Sequence, residues 1–424
     1  MPQRTEKAEH TATAATAATA VTAATAVTEL AARLLDDWSA RSHEGLAGAE
    51  PPSDPGVPVL ASLVHAAGTP EAEQSAARAV AVWARTAGRG PGHCGLYDGG
   101  LAGTLVGLRL GARVHPGLHP VADRLRDHLV STAPVPGWRR EQVAFQDYDL
   151  ITGPSGILLA LSAGASVGAS AGARPTPAEL GPFADHVTQL CDADELPRLR
   201  TGGYAGHPNL AWIDGRINTG MGHGTAGVVA ALTAALRHLG PRPDLTPALR
   251  RATRWLMRQS FDDTRSIRTW DGAGLDGAPP AGPRARQAWC YGTPGVSWAL
   301  WDAADALGEG ETAAWAAAAF STLAERYDER FHLFGDRPAD VLALCHGAAG
   351  VLMVADAFAH HARLPAAAAL KARLLAHLLD RLPAVQALGG EGMGLLGGAA
   401  GPLCALLTAG RGASRAWLPC LGLR

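Results

Sequence analysis

The sequence predicts an all-α protein, an (α/α)6 toroid of six helical hairpins, and three observations carry that prediction. A G-x-x-G element recurs six times, its starts 51 to 71 residues apart. Every copy opens an apolar run of helical length. The chain is alanine-rich and only 5% aromatic, and alanine is the best helix former.

The six copies begin at Gly100, Gly153, Gly224, Gly292, Gly347 and Gly398, and their second glycines are Gly103, Gly156, Gly227, Gly295, Gly350 and Gly401. The runs behind them are Thr104 to Leu108, Ile157 to Leu161, Val228 to Ala235, Val296 to Trp301, Val351 to Ala357 and Pro402 to Leu407. These read as inner helices. The more polar patterns between them, such as Ala248 to Arg258 and Ala366 to Leu382, read as outer ones. Glycines at a helix start allow close backbone approach and leave N–H groups free to face a common centre. No hairpin alone buries its apolar face, so the ring counts as one domain, expected over residues 29–424. Residues 1–28 form an Ala/Thr-rich segment. Glu6 and Glu9 precede its apolar part and threonine punctuates it, which fits a low-complexity stretch running into the first helix better than a secretory signal. Glu50 to Val57, Ser162 to Gly181 and Thr269 to Pro283 read as loops, the last as a rim loop near a site.

Composition narrows the function. With 47% hydrophobic and 18% charged residues and a formal net charge of -2, the chain lacks the basic excess of a nucleic-acid binder. No segment reaches the ~18 to 20 uncharged apolar residues of a membrane span. Six cysteines in 424 residues are too sparse for a disulfide scaffold, which points to a reduced, cytoplasmic setting.

Three repeats carry metal-ligand residue types at their glycine turns. Repeat three has His223 before Gly224, repeat four has Trp289-Cys290-Tyr291 before Gly292, and repeat five has Cys345-His346 before Gly347. If equivalent positions face one centre, these side chains converge. Two thiolates and an imidazole suit Zn2+, and three protein ligands leave a fourth position open, as in a catalytic site. The residue pattern alone leaves a second reading, in which the cysteines are buried small hydrophobes and His346 a core imidazole. Cys94, Cys191, Cys404 and Cys420 are expected to fill core or surface positions, and His93-Cys94 lacks the Cys-His-Gly form.

The Trp289-Cys290-Tyr291-Gly292 and Cys345-His346-Gly347 segments resemble the two zinc-binding signatures of the lanthipeptide (lantibiotic) synthetase cyclases, the LanC-like family. Gly222-His223-Gly224 with Gly227 is similar to that family's histidine motif, and Tyr148-Asp149 with Gly153 and Gly156 to its acidic motif. Arg286 and the segment from Leu396 to Leu407 followed by Trp417 match it as well, so the resemblance covers the chain from about Gly95 onward. It implies an (α/α)6 toroid and a Michael-type reaction, in which a peptide cysteine adds to dehydroalanine or dehydrobutyrine to give a lanthionine or methyllanthionine. Cys290, Cys345 and His346 would hold zinc, with the substrate sulfur in the fourth place. His223 would protonate the enolate, Arg286 would donate to its oxygen, and Asp149 would take a proton or hold the tautomer of His223. Two simpler readings stay open: Asp149 as the N-cap of the helix after Gly153, and Arg286 as its ion-pair partner or a turn cap. The implied partners are a dehydrated precursor peptide with its leader, a separate dehydratase and a peptide transporter at a membrane complex. Rival readings are a zinc-dependent prenyltransferase-like enzyme, a relative that adds glutathione to dehydroamino acids, and a non-catalytic peptide-binding scaffold.

Overall fold

A computed structural model describes residues 24–42, 53–87, 92–133, 137–163 and 174–424. Helix α1 (residues 24–42) begins inside the Ala/Thr-rich segment, with Val27 and Thr28 buried; residues 1–23 of that segment lie outside the described residues. Hairpins of an inner and an outer helix follow: α2 (Gly56–His65) with α3 (Pro70–Thr86), α4 (Leu101–Gly111) with α5 (His119–Thr132), and α6 (Pro154–Ser162) with α7 (Pro177–Leu190). Next come α8 (Thr225–Leu239) with α9 (Leu245–Arg258), and α10 (Thr293–Leu307) with α11 (Gly310–Arg326). After the short α12 (Glu329–His332) and α13 (Pro338–Leu342), α14 (Ala348–Ala357) pairs with α15 (Pro365–Leu379). Helix α16 (Leu382–Glu391) leads to the inner α17 (Ala400–Arg411). A two-strand ribbon, Phe261–Asp262 against Arg268–Thr269, is the sheet among the described residues.

The inner helices pack in sequence order, and α17 packs back on α2, so the ring closes. The six helices expected from the G-x-x-G repeats all line it. A seventh, α2, fills the gap between α4 and α17. Its outer partner is α3; α1 is tied to α3 by Asp36 to Arg78 at 2.7 Å and to α16 by Arg41 to the Gly389 carbonyl at 2.7 Å. Inner and outer helices differ as their sequences predict. Every residue of α6 and of α14 is buried, whereas α9 buries Leu245, Ala248, Leu249, Ala252 and Leu256 at helical spacing and exposes arginines between them.

The glycine motif has a steric cause. A Cβ placed on the second glycine of each repeat would lie 2.0 to 2.4 Å from a backbone carbonyl of the turn just before the helix. For Gly350 that atom is the Leu344 oxygen at 2.0 Å, with the Trp289 Cβ at 2.8 Å. The same turns are stitched sideways: Leu96 N–H donates to Ile151, Leu150 to Gly222, Met221 to Cys290 and Cys345 to Leu396, with N···O distances of 2.8 to 3.1 Å. We expect Gly350→Ala to lower the unfolding free energy by about 2 to 3 kcal/mol despite alanine's better helix propensity. Denaturant unfolding checks this; an unchanged midpoint would remove the steric account.

The C-terminal segment fills the hole of the ring. Trp417, Leu418, Cys420, Leu421 and Leu423 are buried. The carbonyls of Cys420, Leu421 and Gly422 accept from Tyr97 Oη (2.7 Å), Trp289 Nε1 (2.8 Å) and Trp298 Nε1 (3.0 Å). The turns that begin the inner helices therefore sit above a plugged centre, and they carry the candidate site.

Candidate metal centre

Cys290 ends the turn before α10, and Cys345 and His346 end the turn before α14. Their three ligand atoms lie within 4.8 Å of one another, and this is the one such group of three found among the described residues. Cys345 Sγ is 3.8 Å from His346 Nε2. Zinc bond lengths of about 2.3 Å to sulfur and 2.0 to 2.1 Å to nitrogen set ligand–ligand edges of about 3.5 to 3.8 Å in a tetrahedron, so the donor set and its Cys345–His346 edge fit zinc. The fused Cys-His dipeptide works because Gly347 lets the chain turn into α14 at once: its Cβ would lie 2.5 Å from the Leu342 nitrogen.

Electrostatics prepare the ligands. The Cys290 thiol, by donating to Cys345, holds that thiol well below the usual range, and His346 and His223 pull in the same direction. Burial, with the Cys345 charge behind it, pushes Cys290 well up. His346 is raised by its bond to Cys345.

His223 ends the turn before α8. Its Nδ1–H donates to Asp149 Oδ2 at 2.6 Å. The carboxylate only accepts, which fixes that tautomer and leaves Nε2 as the free nitrogen. Asp149 is fully buried, and its other oxygen accepts from the Thr152 and Gly153 amides at 2.7 and 2.8 Å. Asp149 thus meets His223 with one oxygen and the amides of the turn before α6 with the other; the N-cap of that helix is Gly153, so the N-cap reading does not hold. Burial alone would lower the pKa of His223, but the bond to Asp149 and its charge outweigh that and leave it raised. The side chain is 35% exposed, open enough to meet a substrate. Phe145 stacks on it at 4.5 Å between ring centroids, and the Tyr148 hydroxyl donates to its carbonyl at 2.8 Å.

The profile of the family described as lanthionine synthetase C-like protein matches residues 122–421. The chain belongs to that family. Membership makes it a lanthionine-forming cyclase by class. Among solved structures, nisin cyclase superposes with a TM-score of 0.73 at 18% identity, covering 92% of this chain and 96% of that one, which establishes a shared toroid. No curated protein sequence matches.

Within this LanC-like chain, Arg286 departs from the ion-pair reading. It does not meet Asp149; its guanidinium lies 3.9 Å over the Phe334 ring and donates a long 3.4 Å bond to the Phe334 carbonyl. It still depresses the Cys290 thiol, so its charge reaches the cluster. The Tyr291 hydroxyl takes a 2.9 Å bond from Asn218. Cys191, Cys404 and Cys420 are buried and Cys94 is half-buried, all free thiols outside the cluster. The Thr269 to Pro283 stretch does reach the rim, through Asp271, Gly272 and Pro283 beside Tyr291 and Gly292. No helix of the described residues is long and apolar enough to cross a membrane.

Proposed function

We propose that this cyclase closes (methyl)lanthionine rings in a dehydrated precursor peptide, with zinc held by Cys290, Cys345 and His346. The observation that carries the reading is the meeting of that donor set with the His223–Asp149 pair on one face of the ring. Zinc, when bound, supplies the Lewis acidity that keeps a substrate thiol in its thiolate form near neutral pH. The residues of the chain account for the rest. The sulfur pair forms the bond to the β-carbon of dehydroalanine or dehydrobutyrine, and the π pair moves onto the carbonyl as an enolate. His223 delivers its Nε2 proton to the α-carbon while Asp149 holds Nδ1. The proton released from the substrate thiol balances the one delivered, so S–H adds across C=C with no change in mass. Arg286 donates to the enolate oxygen by giving up its long bond to Phe334. A separate dehydratase supplies the dehydroamino acids in this reading, the work is cytoplasmic, and a peptide transporter takes the product. The catalytic unit is proposed as residues 29–424.

Metal-loaded protein is given a linear peptide with one dehydroalanine and one cysteine. The expected product keeps the substrate mass and no longer takes up iodoacetamide. A glutathione adduct when glutathione is supplied, with the peptide thiol left free, would favour the glutathione-adding reading. Unchanged peptide would overturn both.

A further inference from the structure

Three large hydrophobic side chains are exposed among the described residues, and two of them, Trp212 at 43% and Phe334 at 41%, lie beside the candidate centre. Next to Cys290 a cleft of about 430 Å³ opens, walled by Trp212, Tyr291, Arg284, Arg286 and Pro283. Trp212 meets the Tyr291 ring edge-to-face at 6.3 Å. It also covers Gly272, where a Cβ would come within 3.1 Å of its indole.

The polar groups of this cleft are largely spoken for. The Trp212 indole N–H donates to the Asn209 carbonyl at 3.0 Å, so what it offers is a ring face. Arg284 pairs with Asp271 at 3.3 Å, and Arg286 is covered by Phe334. What stays exposed is aromatic surface, which favours an apolar guest over a charged one. Tyr291 directly follows Cys290, so cleft and metal centre share a wall. An extended peptide advances about 3.3 to 3.6 Å per residue. A side chain one or two residues from a sulfur seated at the cluster therefore lies about 3 to 7 Å along the chain from it, which lets it approach the wall that Tyr291 forms.

We infer that Trp212 and Tyr291 form a subsite for an apolar or aromatic side chain flanking the reacting cysteine of the peptide, with Trp212 as a specificity-determining residue. The inference rests on the cyclase reading above, and it assigns that site a preference among peptides. A substrate cysteine with glycine on both sides leaves the subsite empty.

Three linear peptides carry one dehydroalanine and one cysteine, and differ only in having Phe, Leu or Gly on both sides of the cysteine. Metal-loaded wild type is expected to show its lowest KM with the Phe peptide. Trp212→Ala should raise KM for the Phe and Leu peptides about tenfold, with kcat unchanged, and leave the Gly peptide unaffected. Trp212→Phe should restore most of the loss. Unreactive versions with alanine for dehydroalanine, labelled and read by fluorescence anisotropy, should show the same tenfold change in Kd. Equal loss on all three peptides would mean Trp212 only supports the fold, and no loss on any would mean the cleft is not used; both overturn the subsite. Wild type that binds with the Phe preference yet closes no ring would sink the cyclase reading and keep the subsite.

Discussion

Cys345→Ala is expected to drop zinc from about one per chain to near none and to cut ring closure by at least about a hundredfold. Partners one step removed from a metal already cost 10- to 100-fold when lost, and Cys345 is a proposed direct ligand. It is also the better prepared thiolate of the pair, held there by Cys290, His346 and His223. Removing it leaves Cys290 and His346, two of the three donors of the set. Metal analysis of the folded variant beside wild type reads the outcome directly. Cys94→Ala serves as the control, since that thiol lies outside the cluster and should keep both metal and activity. Zinc retained in full by Cys345→Ala would place the metal elsewhere and end the three-ligand proposal.

His223→Ala should do the opposite in one respect: zinc stays and ring closure falls by roughly 10²- to 10⁴-fold, the range for a lost general acid. The wild-type pH profile carries the same residue. Its pKa is raised above 6.5, so the proton-bearing form persists above that pH and the rate falls as pH climbs through the raised value. Asp149→Asn removes the charge that raises it and leaves burial, which lowers it. The alkaline limb should then move to more acidic pH, with zinc content unchanged. A limb that stays put in Asp149→Asn, or a His223 variant at normal rate, would take the proton-donor role away from this pair.

What could be read beforehand follows from what local sequence encodes. The six repeats were legible because each second glycine answers to a carbonyl within its own turn, a constraint that leaves the same short signature every time. The candidate ligands sit in those same turns, each within two residues of the first glycine of its repeat. The pair of α2 and α3 was not legible. Gly56 is also held against backbone, 2.3 Å from the Met393 oxygen for a Cβ, but that partner lies at the far end of the chain and no second glycine follows. Asp149 showed two competing patterns because one carboxylate does two jobs. Phe145 under His223, and Trp212 and Phe334 at the cleft, come from irregular loops whose positions only the closed ring decides. Arg286 has its stacking partner 48 residues away, which left no trace in spacing.

Among the described residues, the tail that runs through the centre closes the bore beneath the site. Tyr97, Trp289 and Trp298 grip three successive carbonyls of that tail just below the site. A toroid invites the picture of a thread drawn through a bead, and here the bore is stopped. On the proposed reading, a peptide that reaches the cluster backs out along the path by which it entered, with its new crosslink on board. A chain with several crosslinks to make would then be offered to this surface loop by loop, each visit separate from the last.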